Sequence, residues 1–351
     1  MTWWGRVAIW LAVSACGRFG FEARTGGPGG GDAAGAGDDA VHDAATIASM
    51  APEGPSCGGL PATCGVNGTE SCCASPLVTG GTYYRGYDSA GGGAMNYPAT
   101  VSSFWLDTYE ISVGRFRQFV NAGFGTQASP PPAGAGTHPK IPNSGWDPSW
   151  NASLPADTAS LIATVKCTAV YQTWTDTPGA NEDRPMNCIS WFDAMAFCAW
   201  DGRRLPTEAE WNYAAAGGDQ QRAYPWSSPA SSLTIDPSYA SYWLDGTSTC
   251  LGDGMPGCAM TDLVVVGTKS PGNGRWGQAD LAGNMLEWTL DTLSAYPSPC
   301  DDCASLSLSG SRAMRGGSMF DPSSYLRSSF RSQTPPSTRS ANSGARCARS
   351  P

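Results

Sequence analysis

Gly202-Arg203-Arg204-Leu205-Pro206-Thr207-Glu208-Ala209-Glu210-Trp211 is the stretch on which the fold turns. Thr207 followed three residues later by Glu210 is a capping box, in which each side chain satisfies a backbone N–H that the first helical turn leaves free. Trp211, Ala214 and Ala215 continue an apolar face beyond it. Upstream, Ser190 and Asp193 repeat the pattern before Met195 and Phe197–Cys198. Ser112 can cap a further helix carrying Phe116, Phe119 and Val120 on one face. Brief β-like runs occur at Ser103–Leu106, Leu263–Val266 and Tyr325–Phe330. Short helices, brief strands and long Trp- and Gly-rich loops predict an α+β domain in which loops carry much of the structure.

Composition agrees. The 351 residues include 44 Gly and 27 Pro, which excludes a helical bundle, while 14 Trp and 13 Cys supply material for a core and exclude simple disorder. A net charge of −9 argues against nucleic acid as a partner. The two histidines, His42 and His138, are too few and too far apart for a multi-histidine metal site.

Residues 1–16, with one Arg, an apolar run from Val7 to Val13 and small residues after it, read as a signal peptide too short to span a membrane. Val13-Ser14-Ala15-Cys16 resembles a bacterial lipobox, so Cys16 is the expected lipidation site; secretory cleavage near Ala15 is the alternative. Either route exports the chain, the first as a cell-envelope lipoprotein held to the membrane by its lipid. Residues 17–55 are a Gly/Ala/Asp-rich flexible tether. Residues 56–80, with Cys57, Cys64, Cys72 and Cys73, read as a small disulfide-tied segment whose pairing stays open, and 81–351 as one large domain. Setting Cys16 aside leaves twelve cysteines, an even number suited to a disulfide framework in an exported chain. Cys250/Cys258 and Cys300/Cys303 are close enough in sequence to staple local loops. A zinc site at Cys300–Cys303 lacks a second ligand pair.

Consecutive strings carry a resemblance. Phe104–Ser112 with Arg115-Phe116, Pro185–Trp191, Gly202–Trp211, Tyr224-Pro225-Trp226, Asp280–Trp288, Arg315-Gly316-Gly317-Ser318 and Ala345-Arg346-Cys347, in this order, are similar to the formylglycine-generating enzyme (sulfatase-modifying factor) family. The resemblance implies a C-type-lectin-like, disulfide-stapled α+β fold with little regular secondary structure. It also implies pairing of Cys198 with Cys347, with Cys167/Cys188 as a further pair.

In the family's enzymes two cysteines shortly after the RGGS string bind copper(I) and oxidise a sulfatase cysteine to formylglycine. Here no cysteine lies between Cys303 and Cys347. Asp321 stands where the first would be, the second falls within Ser323–Leu326, and carboxylates and hydroxyls are hard donors ill suited to copper(I). Leu286 replaces a family Trp, while Ser318 is retained. Copper is therefore not expected, and neither is the iron of a second branch, for want of histidines. Asp280 and Glu287, with the carbonyls of Gly283 and Met285, match a family calcium site, so a structural calcium is expected.

Residues 312–349 hold seven Arg against the single acid Asp321. Most are expected to hold loop carbonyls, with Arg327 the candidate for a cleft beside Ser318, Asp321 and Ser323. The function that follows is binding of a peptide or glycan, with a formylglycine-forming oxidase on a rebuilt site as the alternative.

Overall fold

The computed structural model describes residues 53–351. The signal segment, Cys16 and nearly all of the tether lie outside the described residues. Elements are short: β1 (Leu77–Val78), β2 (Gly81–Tyr84), β3 (Pro98–Val101), β4 (Phe104–Leu106), α1 (Val113–Asn121), α2 (Thr158–Thr164), α3 (Trp191–Trp200), α4 (Glu208–Ala215), β5 (Leu286–Thr292), β6 (Arg312–Arg315), β7 (Ser332–Thr334), β8 (Ser343–Gly344) and β9 (Ala348–Arg349).

The three helices read from the sequence start where their caps place them. Ser112 Oγ accepts from the Arg115 amide, and both capping boxes close reciprocally, Ser190 with Asp193 and Thr207 with Glu210. Helix α2 was not foreseen; Asp157 caps it by accepting from the Ser160 amide. Two expected strands are absent. Leu263–Val266 is irregular, and the 325–330 run begins inside a 3-10 turn, Ser323–Leu326. Both runs have the apolar or β-branched content of strands, but no neighbouring strand offers them a ladder.

The central sheet has the order β7-β6-β5-β8, antiparallel except for the parallel β5/β8 pair, and every residue of β5 is buried. A second sheet, β1-β4-β9, pairs the C-terminal strand with the early part of the domain, and β2/β3 is a separate antiparallel pair. Helices α1 and α3 meet through Phe116, Phe119 and Phe197, whose rings lie 5.4–5.9 Å apart. Trp146, Trp191, Trp211 and Trp288 fill the remaining core at 2% exposure or less. Aromatic rings of this size bury apolar area that so few helical and strand residues could not provide alone.

Among the described residues six disulfides are formed: Cys57–Cys73, Cys64–Cys72, Cys167–Cys188, Cys198–Cys347, Cys250–Cys258 and Cys300–Cys303. The first two tie the 56–80 segment, which is built into the domain. Its strand β1 pairs with β4, and Ser56 joins a buried ion cluster. The Ser56 amide donates to Asp201 (2.8 Å) and its hydroxyl accepts from Arg115, which pairs with Asp107 (2.8 Å) and Asp201 (2.7 Å) while Arg203 approaches the same two acids.

Candidate functional site

The site begins where β6 ends. Gly316 and Gly317 have φ of +97° and +65°, a left-handed turn that only glycine enters at no steric cost. A Cβ on Gly317 would stand 2.7 Å from the Leu326 side chain. The double glycine thus folds the chain sharply and delivers Ser318 to a fully buried position.

Ser318 and Asp321 are brought together. The Ser318 hydroxyl donates to Asp321 Oδ2 (2.6 Å), which also accepts the Ser318 amide (2.9 Å), and the Asp321 amide returns to the Ser318 carbonyl (3.0 Å). The pair closes its own turn. With its proton committed to a carboxylate that is already hydrogen-bonded, and no histidine beside it, Ser318 is not arranged as a nucleophile. Ser323 shares the loop and reaches toward Asp245 at 3.5 Å. Arg327 pairs with Asp88, which Ser329 also contacts and which accepts the amides of Ala90 (2.9 Å) and Gly92 (3.2 Å). The expected cleft arginine pins a neighbouring loop.

Aromatic rings adjoin the loop, the Tyr224 hydroxyl donating to the Ser323 carbonyl (3.0 Å), and their arrangement was not read from sequence. Tyr224, Trp226 and Tyr239 form a parallel stack with centroids 4.9 and 5.2 Å apart. Tyr325, 44% exposed, stacks on Phe330 at 4.2 Å. The Tyr224-Pro225-Trp226 string and the 325–330 run contained these rings, but nothing in the sequence said that they stack.

Glu110, Asp280 and Glu287 form a buried acidic centre. Glu287 is fully buried between Arg346 (2.7 Å to Nη2) and the Trp211 indole (2.9 Å), and Arg346 Nε contacts both carboxylate oxygens. The same guanidinium reaches the carbonyls of Asp107, Thr108 and Ala279. Asp280 accepts the Gly267 amide (2.6 Å). Glu110, unassigned from sequence though it sits in the Phe104–Ser112 string, accepts from Asn284 Nδ2 (2.7 Å) and the Met285 amide (3.1 Å). Burial pushes the carboxyls of both Glu110 and Asp280 upward.

This donor set does not fit the expected calcium ion. Calcium takes six to eight oxygens, with carboxylates leading. The lone-pair directions of Glu287 are filled by N–H donors of Arg346 and Trp211, so its negative charge is already balanced. Gly283 and Met285 lie on the same turn, but the carboxylate they would complement is engaged. Copper fits no better: all twelve cysteines among the described residues are in disulfides. The single cluster of candidate metal-ligating side chains among the described residues is Cys64, Cys72 and Asp183, and its two cysteines are bonded to each other. His138 is buried against Glu210 (3.5 Å) and accepts from the Lys140 amide, so it is a structural partner.

Of the C-terminal arginines, Arg315 and Arg331 share Glu208, Arg339 pairs with Asp193 and Arg346 with Glu287. Arg315 also holds the carbonyls of Ser328 and Phe330. These charges brace loops, as most of them were expected to do.

The profile of the family described as "Sulfatase-modifying factor enzyme 1-like domain" matches residues 63–351. Formylglycine-generating enzyme of Mus musculus is 30% identical over 274 residues, 71% of this chain and 66% of that protein, so the chain spans just under two thirds of this relative's length. "Inactive C-alpha-formylglycine-generating enzyme 2" of the same organism is 33% identical over 173 residues, 47% of this chain and 49% of that protein. Among solved structures, PvdO from Pseudomonas aeruginosa shares the fold with a TM-score of 0.51 at 19% identity, covering 83% of this chain and 99% of that one. The chain belongs to the sulfatase-modifying factor family, the family of the formylglycine-generating enzymes.

Proposed function

We propose that this chain is an exported, lipid-anchored member of the family that binds a peptide or glycan and does not oxidise cysteine. The observation that carries the reading is the segment following Ser318. It has no thiol, and Asp321, at the position of the first copper ligand, is consumed in closing the Ser318 turn. Family membership alone does not supply the chemistry, because function resides in the site and not in the fold. That a relative is named as inactive agrees with a branch of the family that keeps the fold without the reaction. The ring of Tyr325, 44% exposed, offers a flat apolar surface of the kind on which sugar rings and aromatic side chains pack.

The test is an incubation of the disulfide-formed protein with a Cys-x-Pro-x-Arg peptide, copper, oxygen and a reductant, read by peptide mass. An unchanged mass is expected, while a known formylglycine-generating enzyme converts the same peptide in parallel. Conversion of the cysteine to formylglycine would overturn the reading and make this chain an oxidase on a rebuilt site.

A further inference from the structure

Arg312 differs from most arginines of the C-terminal stretch. Its neighbours Arg315, Arg327, Arg331, Arg339 and Arg346 each hold a carboxylate. Arg312 is 3% exposed, yet no carboxylate lies within ion-pair distance of it among the described residues. Nη1 donates to the Leu290 carbonyl (3.1 Å) and Thr292 Oγ1 (3.2 Å), and Nε is buried without a partner. The guanidinium lies over the Trp191 ring at 3.8 Å and within 5.7 Å of Trp150. A buried cation with an unfilled donor is costly unless something compensates it. Burial also draws this guanidinium down to about 10, opposed only by the more distant Asp291.

The unfilled charge borders a cavity of about 320 Å³ whose apolar walls include Trp150, Leu290, Leu306 and Leu308. That volume is at the small end of ligand pockets, roughly 300–1,000 Å³. Leu306 and Leu308 are 38% and 71% exposed and form an apolar rim. Asp147 is the acid in the lining. It faces water and accepts the Ser149 amide, so solvent screens its repulsion, whereas the charge of Arg312 acts from a dry wall.

We propose that this cavity is a binding site for a monocarboxylate bearing an apolar group, with the carboxylate on Arg312 and the apolar part between Trp150 and the leucines. A single buried positive charge matches one negative charge. A phosphate or sulfate dianion would leave an excess charge in an apolar enclosure, and a neutral ligand would leave Arg312 uncompensated. Ser318, Asp321, Ser323 and Arg327 do not line this cavity, so the site is independent of the reading given above and would survive its failure. The carboxylate has two possible sources, a free aliphatic acid or the C-terminus of a peptide ending in an apolar residue.

Ligand-observed NMR titration of the full chain with octanoate and with N-acetyl-leucine separates those sources, and octanamide and N-acetyl-leucinamide remove the charge. At least one acid is expected to saturate below about 10 mM, with its amide at least roughly tenfold weaker. The acid that binds more tightly identifies the source. Arg312→Met is expected to abolish saturation. Because that substitution could disturb the tryptophan packing, Leu308→Glu serves as the second variant. It alters an exposed side chain and should weaken the acid by roughly tenfold through like charge at the rim. The proposal is overturned if neither acid saturates, if acid and amide bind alike, or if Leu308→Glu leaves the affinity unchanged.

Discussion

Removing the Cys198–Cys347 disulfide, by Cys198→Ala with Cys347→Ala, should cost far more stability than any local staple. The bond joins residues 149 apart, linking α3 to the segment just before β9, whereas Cys250–Cys258 spans 8. In the chain-entropy description, a cross-link restricts the unfolded chain by roughly 2.1 + 1.5R ln n cal/mol/K. The longer closure is then worth about 5 kcal/mol near room temperature and the shorter about 2.5. Cys198 and Cys347 are also fully buried, so truncating both adds roughly 1 kcal/mol each for lost packing. A total of about 7 kcal/mol approaches the whole stability of many domains, roughly 5–15 kcal/mol. Urea unfolding followed by tryptophan fluorescence, compared as free energies because freeing the unfolded chain also raises the slope, provides the measurement. Equal losses in the 198/347 and 250/258 double variants would refute the argument that loop length sets the worth of these bonds.

The buried Glu287–Arg346 pair makes a second expectation. Glu287→Gln removes the carboxylate that Arg346 contacts and should cost about 3–5 kcal/mol, while Lys166→Ala, which loses a solvent-facing pair with Asp176, should leave the unfolding midpoint unchanged. Chelation with EDTA should not shift the melting temperature, because Arg346 already holds the Glu287 carboxylate; a marked drop would restore the calcium site. The pH dependence follows from two buried acids of opposite sign. Burial and Glu208 raise Asp291 to about 7, so its contribution is present below the usual carboxylate range and is lost as pH rises through 7, at up to about 1.4 kcal/mol per unit. Burial opposes ionisation of Glu210 but Arg204 and His138 outweigh it, holding it near 2, so its contribution is complete above the usual range and fades as pH falls toward 2. Urea midpoints should therefore decline from pH 5 to 8 and again in strong acid, and a flat profile from 5 to 8 would count against the assignment for Asp291.

What the sequence by itself determined was mostly local. Capping boxes act within four residues, so Ser112, Ser190 and Thr207 announced their helices directly. That no cysteine occurs between Cys303 and Cys347 was equally legible. Strand content at 263–266 and 325–330 misled, because a strand exists only where a neighbour completes its hydrogen bonds, and neighbours are a tertiary matter. Only the fold decided the fate of the charges. Glu287 looked like a cation ligand until Arg346, 59 residues away, was found to hold it. Arg327 looked like a cleft residue until Asp88 was found opposite. Arg312, indistinguishable in sequence from its neighbours, emerged as a buried arginine with no acid within ion-pair distance beside an apolar cavity. A carboxylate or guanidinium is defined by its partner, and in a domain tied by long closures those partners come from distant parts of the chain.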